Sequence, residues 1–196
     1  MNLPNKLTIL RILLTFAFIV FLFVNGVAAK ITALLVFILA SATDVLDGFL
    51  AKRNNQITDF GKLMDPIADK ILVLSAFLSF VEIGVVQAWM VIVIVFREVV
   101  ITGLRLLALS KRVIIPADDG GKHKTVWQVG SIVIVLLFLI FSEGGSAVFK
   151  FWNTDFETYY KNFIFFVMLI TVSLTLASGL AYLWKNKEVY LNAKEH

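Results

Sequence analysis

Six apolar stretches, separated by short charged segments, constrain this chain more than any other feature. A helix needs about 20 mostly apolar residues to cross a bilayer. Residues 7–24, 31–50, 88–109, 126–141 and 162–184 form five such runs. A sixth, 71–81, is too short alone and needs the charged residues 65–70 to extend it. Of the 196 residues, 59% are hydrophobic and 16% are charged, against about 25% charged in an ordinary soluble domain. Too few polar residues remain to cover a soluble core, and a disordered chain would be far more polar. The expected fold is all-α, a single polytopic membrane domain over 1–196 with six transmembrane helices. There is no cysteine, and His123 and His196 are the two histidines. A disulfide framework and a thiolate metal site are therefore excluded, and a histidine-rich zinc site is not expected.

The first run has Lys6 and Arg11 near its start and Val27-Ala28-Ala29 beyond its end, features shared with a signal peptide. It is longer than the apolar core of such peptides and five further runs follow, so it reads as a retained first helix. Basic residues then set the orientation. With both termini cytoplasmic, only Lys30, Lys150 and Lys161 of the 18 Lys and Arg fall in outside loops, near 25–30, 82–87 and 143–161. Trp89, Trp127 and Trp184 fall at span ends, where an interfacial aromatic belt is expected, and Trp152 in the last outside loop is a further candidate. That loop has the composition for a short interfacial helix. The formal net charge of +4 suits an anionic cytoplasmic leaflet, and no nucleic-acid partner is expected.

The informative residues are charges at the ends of apolar helices. Asp44, Asp47, Asp65 and Asp69 are four carboxylates in one short stretch. Left uncompensated at helix centres they would cost roughly 10–14 kcal/mol together. Asp44 and Asp47 are i, i+3, and Asp65 and Asp69 are i, i+4, so each pair shares a helix face. A linker over about 51–61 makes the two helices antiparallel neighbours, with both pairs at the cytoplasmic end. An all-oxygen set of this kind suits two hard divalent cations such as Mg²⁺, Mn²⁺ or Ca²⁺, and a two-metal site suits phosphoryl chemistry. Gly48 and Gly61 allow close approach of a backbone or a phosphate.

A second set is cationic. Arg97 and Arg105 step along one side of the fourth helix, and Lys122 and Lys124 lie at the start of the fifth. Together they suit an anion and would repel a cationic ligand. Arg97 has Glu98 or the Asp cluster as an alternative partner. The run Asp118-Asp119-Gly120-Gly121 reads as a turn, His123 as an interfacial residue, and the phenylalanines as lipid-facing or packing residues.

Asp44-Val45-Leu46-Asp47-Gly48-Phe49-Leu50-Ala51-Lys52, followed at fixed spacing by Gly61, Asp65 and Asp69, resembles the signature of the CDP-alcohol phosphotransferases, D-x2-D-G-x2-A-R-x8-G-x3-D-x3-D. Seven of its eight fixed positions match with every spacing kept. The departure is Lys52 in place of Arg, which keeps the charge and loses the bidentate fork. The resemblance implies that Asp44, Asp47, Asp65 and Asp69 hold two divalent metals and that Asp69 is also the general base. It implies a CDP pocket lined by Gly48, Ala51, Lys52 and Gly61, and attack of an alcohol on the β-phosphorus with release of CMP.

Leu3-Pro4-Asn5-Lys6-Leu7-Thr8, Arg97-Glu98 through Arg105, and Gly121-Lys122-His123-Lys124-Thr125 are similar to the bacterial phosphatidylglycerophosphate synthases of that family. This similarity implies CDP-diacylglycerol as donor, sn-glycerol 3-phosphate as acceptor and an acceptor-phosphate segment over 97–124. Arg97, Arg105, Lys122 and Lys124 would hold that phosphate, and Asn5 and Thr8 would border the nucleotide. Capping of the first helix is the alternative role for Asn5 and Thr8. A homodimer in a bacterial inner membrane, with its active site facing the cytoplasm, is also implied. Two alternatives stay open at this point: a phosphatidylinositol phosphate synthase, and a divalent-metal transporter.

Overall fold

A computed structural model describes residues 3–54, 59–110 and 120–187, with side chains described over 8–43, 70–105, 107–108 and 124–187. Among the described residues there are six α-helices and no strand. They are α1 (Leu3–Phe23), α2 (Val27–Asn54), α3 (Asp59–Glu82), α4 (Ala88–Ser110), α5 (Gly120–Val148) and α6 (Thr154–Lys185). Each apolar run falls largely within one helix, and 71–81 is the C-terminal half of α3. Helices α5 and α6 are long and apolar enough to cross a membrane, and α1 and α2 hold shorter apolar segments.

Several boundaries differ from the sequence expectation. The linker expected over about 51–61 is helix up to Asn54 and again from Asp59, and 55–58 lie outside the described residues. Residues 65–70 extend the third apolar run as turns of α3, as expected. The expected outside loop over 143–161 is mostly helix, because α5 continues to Val148 and α6 begins at Thr154. No separate interfacial helix forms there. Instead α5 kinks at Gly145, whose φ of 52° and ψ of −161° lie outside the helical region. Gly120 and Gly121 open α5, so they are helix rather than turn, and Asp118 and Asp119 lie outside the described residues.

The chain forms two compact units. The first comprises residues 1–85 and 132–161. Within it α1 packs on both α2 and α3. Thr8, Arg11, Thr15, Phe18 and Leu22 are buried on α1, and their alternating steps of three and four make one helical stripe. Lys30, Ala33, Phe37 and Ala40 make the matching stripe on α2. The small Ala33 and Ala40 let the helices approach closely, and the Phe18 and Phe37 rings meet at 5.7 Å. The outward face of α1 is apolar as well: Leu13, Phe16 and Val20 are all more than half exposed, as suits lipid rather than water. Trp152 is the exception to the aromatic-belt expectation. It is buried against Phe138, Phe141, Phe156 and Tyr160, because the ends of α5 and α6 close over it. Trp89, Trp127 and Trp184 are exposed.

The second unit comprises residues 86–131 and 162–196. Met90, Ile94, Glu98, Ile101, Leu104 and Ala108 form the buried stripe of α4, with Glu98 its charged member. Ile92, Phe96 and Val99 face outward. On α6 the stripe is Ile164, Val167, Met168, Thr171, Val172, Thr175, Gly179 and Tyr182. Arg97 meets Ser178 and Arg105 meets Tyr182. The contacts ascend in the same order on both helices, so α4 and α6 are parallel.

Candidate active site

The four signature carboxylates sit on two consecutive helices. Asp44 and Asp47 lie in α2, and Asp65 and Asp69 in α3. Helix rise gives their heights. Asp47 and Asp65 lie about 9–11 Å from the ends of their helices nearest the connection, and Asp44 and Asp69 about 15 Å. In a hairpin of these two helices the pairs therefore stand level with each other. Asn5, Asp44, Asp47, Gly48, Ala51, Lys52, Gly61, Asp65, Asp69 and Lys122 are placed by their helices alone, and their side chains lie outside the described residues. No cluster of three or more metal-ligating side chains occurs among the described residues. The donor set, four carboxylates and no nitrogen or sulfur, fits hard divalent cations.

Thr8 is described. It is buried in the second turn of α1, five residues after the helix starts at Leu3. A residue there is too far inside to cap the helix, so the capping alternative fails for Thr8. Arg11 is buried one turn further on, and its carbonyl accepts a hydrogen bond from Thr15 Oγ1 at 2.9 Å.

Of the cationic set, the side chains of Arg97, Arg105 and Lys124 are described, all in the second unit. Lys124 Nζ donates to Glu98 Oε1 in a buried ion pair. The same oxygen receives Arg97 Nη1 at 3.4 Å, and Arg97 Nη2 donates to Ser178 Oγ at 3.2 Å. Ser178 in turn donates to the Thr175 carbonyl at 3.1 Å. Arg97 Nε is buried and has no hydrogen-bond partner among the described residues. Arg105 Nε donates to Tyr182 Oη at 3.4 Å, and its guanidinium carbon lies 5.6 Å from the Tyr182 ring centre. Contacts of 3.2–3.4 Å are at the long end for hydrogen bonds. Both arginines therefore keep donor capacity for an anion. Lys122 precedes Lys124 by two residues on α5.

Sequence reasoning placed Arg97, Arg105 and Lys124, and weighed Glu98 only as a competing partner. It missed Ser178, Gly179 and Tyr182, which lie in the sixth apolar run. The available signal was the polar and small series Thr171, Ser173, Thr175, Ser178 and Gly179, the composition of a helix interface within a membrane.

A helical membrane chain with two carboxylate pairs and a separate arginine–lysine set has the parts of a phosphate-handling transferase. The chain belongs to the CDP-alcohol phosphatidyltransferase family, whose model matches residues 1–184. It is 34% identical over 199 residues to a CDP-diacylglycerol–glycerol-3-phosphate 3-phosphatidyltransferase of Bacillus subtilis, covering 95% of this chain and 96% of that one. A protein of the same name from Mycoplasma pneumoniae is 37% identical, with 81% and 80% covered. Another from Rickettsia bellii is 35% identical, with 76% and 80% covered. The protein is thus a phosphotransferase, of a family that uses divalent metal. That assignment displaces the transport alternative.

Proposed function

We propose that the protein transfers the phosphatidyl group of CDP-diacylglycerol to sn-glycerol 3-phosphate, forming phosphatidylglycerol phosphate and CMP. The observation that carries the acceptor assignment is the pair Arg97 and Arg105, seated on α6 with guanidinium donors still available. A phosphorylated alcohol uses them, whereas a neutral or cationic one leaves Arg105 with no carboxylate beside it and Arg97 with only the Glu98 carboxylate it shares with Lys124. The names of the relatives point the same way.

Asp44, Asp47, Asp65 and Asp69 hold two divalent cations, Mg²⁺ by the hardness of the donor set with Mn²⁺ also suited, whose charge offsets that of the diphosphate. Asn5, Thr8, Gly48, Ala51, Lys52 and Gly61 border the nucleotide. Arg97, Arg105, Lys122 and Lys124 hold the acceptor phosphate and so fix its hydroxyl beside the donor. Asp69 accepts the hydroxyl proton. The new bond joins the acceptor oxygen to the β-phosphorus, and the bond from that phosphorus to CMP breaks.

The reading extends to a single domain over 1–196 with six spans and both termini in the cytoplasm. Parallel α4 and α6, with one helix between them in sequence, are what alternating spans require. A bacterial inner membrane with the active site on the cytoplasmic side, and a homodimer, complete the proposal.

The test is CMP release by the full chain in detergent–lipid micelles with Mg²⁺ and CDP-diacylglycerol. Release with sn-glycerol 3-phosphate, and none from Asp69→Asn of the same solubility and helicity, is the expected result. Release only with inositol phosphate would move the acceptor. Substantial turnover by Asp69→Asn would remove it as the base.

A further inference from the structure

Helix α6 reads in the sequence as an apolar span, yet both arginines of α4 rest on it. Arg97 and Arg105 are eight residues apart, about 12 Å along α4. Their partners Ser178 and Tyr182 are four residues apart, about 6 Å along α6. The two side chains therefore converge as they leave α4, from about 12 Å to about 6 Å apart along the helix axes.

Gly179 lies between those partners. A Cβ built on it would fall 2.9 Å from Arg97 Cγ and 3.4 Å from Arg97 Nε, inside normal contact. The Arg97 stem thus lies directly on the α6 backbone, in space that any side chain would occupy. Tyr182 is buried and offers Arg105 both a hydroxyl and a ring face, which hold a guanidinium without neutralising it. Ser178 supports Arg97 through a hydroxyl, beside the Glu98 carboxylate that Arg97 shares with Lys124. A purely structural buried arginine normally has its donors taken up by acceptors of the protein. Here Arg97 Nε is buried with none among the described residues, while Arg105 is exposed and rests on Tyr182 through Nε and the ring face alone.

We propose that Ser178, Gly179 and Tyr182 are positioning residues: a seat on α6 that converges the Arg97 and Arg105 guanidinium groups onto one phosphate and sets the affinity for the phosphorylated acceptor. The proposal rests on the acceptor reading above. Ser178, Gly179 and Tyr182 need touch no substrate, since they act through the arginines.

The experiment measures KM for sn-glycerol 3-phosphate and for CDP-diacylglycerol separately, with the full chain in Mg²⁺-containing micelles. Gly179→Ala and Tyr182→Leu are expected to raise the acceptor KM about tenfold and the donor KM less than about twofold. Tyr182→Phe keeps the ring, so its acceptor KM is expected within about threefold of the parent value. A merely structural role would move both KM values together or lower kcat alone, and either result overturns the seat. So does an acceptor KM unchanged in Gly179→Ala and Tyr182→Leu. If Gly179→Ala is not recovered as monodisperse protein, Tyr182→Leu gives the same split and Ser178→Ala a smaller one, and no split in Tyr182→Leu rejects the proposal. A parent protein that releases no CMP with sn-glycerol 3-phosphate refutes the functional reading instead. Equilibrium binding of inorganic phosphate then decides the seat: weakening of about fivefold or more in Gly179→Ala sustains it, and equal affinity overturns it.

Discussion

Lys30 in the first unit and Arg97 in the second are both cations withdrawn from solvent within apolar helices, and they are held in opposite ways. Lys30 Nζ donates to the carbonyls of Leu22 and Val24 at 2.6 and 3.1 Å. Those oxygens close the end of α1, where the helix dipole favours a cation. The charge next to it is equally engaged: Glu143 accepts from Gly26 N at 2.5 Å, and Lys161 pairs with Glu157 at 2.7 Å. Arg97 has longer contacts, shares its carboxylate with Lys124, and rests its stem on a glycine. Burial alone therefore does not mark a functional charge. What separates the two is whether the donors end on backbone oxygens or remain available beside other cations.

Substitution of each residue probes that contrast. The largest effect is expected from Arg97→Ala, with kcat/KM for the acceptor falling about a hundredfold or more as a charge-assisted contact to phosphate is lost. Glu98 keeps Lys124 as partner, so the variant should remain folded. Arg97→Lys restores the charge without the fork and should recover only part of the loss. An acceptor KM unchanged in Arg97→Ala would place Arg97 beside Lys30 as a structural cation.

Lys30→Met should do the reverse. It leaves two carbonyls at the end of α1 without their partner, at a cost of about 1–3 kcal/mol. A lower apparent Tm in micelles is expected, with both KM values unchanged. A selective rise in the acceptor KM would dissolve the distinction.

The contrast also explains what the sequence reveals. Apolar run length is a local property, so all six helices are legible, as are the fixed spacings of Asp44, Asp47, Asp65 and Asp69. Arg97 and Arg105 stand out because charge is rare in an apolar run. Their supports do not. Ser178, Gly179 and Tyr182 are ordinary residues of membrane helices and gain meaning only from lying opposite the arginines, which is a tertiary fact. Lys30 fails in the other direction. It counts as one outside-loop charge in the orientation argument, and its folding back onto Leu22 and Val24 is invisible without coordinates. Trp152 misleads for the same reason: residues either side of a short loop read as an interface, while Phe138 and Tyr160 enclose the ring.

Smaller effects sharpen the first unit's side of the comparison. Gly26 joins α1 to α2 with φ of 109° and has nothing within 4 Å of a built Cβ. Space is therefore not the constraint at Gly26→Ala, but backbone conformation is. A cost of about 1–2 kcal/mol is expected, read as a lower apparent Tm with unchanged KM values. A neutral result would show that the turn relaxes to negative φ.

Glu143→Gln should be smaller still. The Gly26 amide is at a turn, and its hydrogen bond to Glu143 is exposed, so water can replace much of it. Gln keeps a carbonyl oxygen at the same reach and removes only the charge. Loss of charge assistance at an exposed site is worth about 0.5 kcal/mol or less, a shift of a degree or two in apparent Tm. The informative control is salt. If the carboxylate contributes as a charge, raising ionic strength should bring the parent protein toward the variant. If the two differ equally at low and high salt, the contribution is one of hydrogen-bond geometry. An effect of Glu143→Gln as large as that of Lys30→Met would mean that the charges around the α1–α2 turn act as one coupled network, not as separate closures of single helix ends.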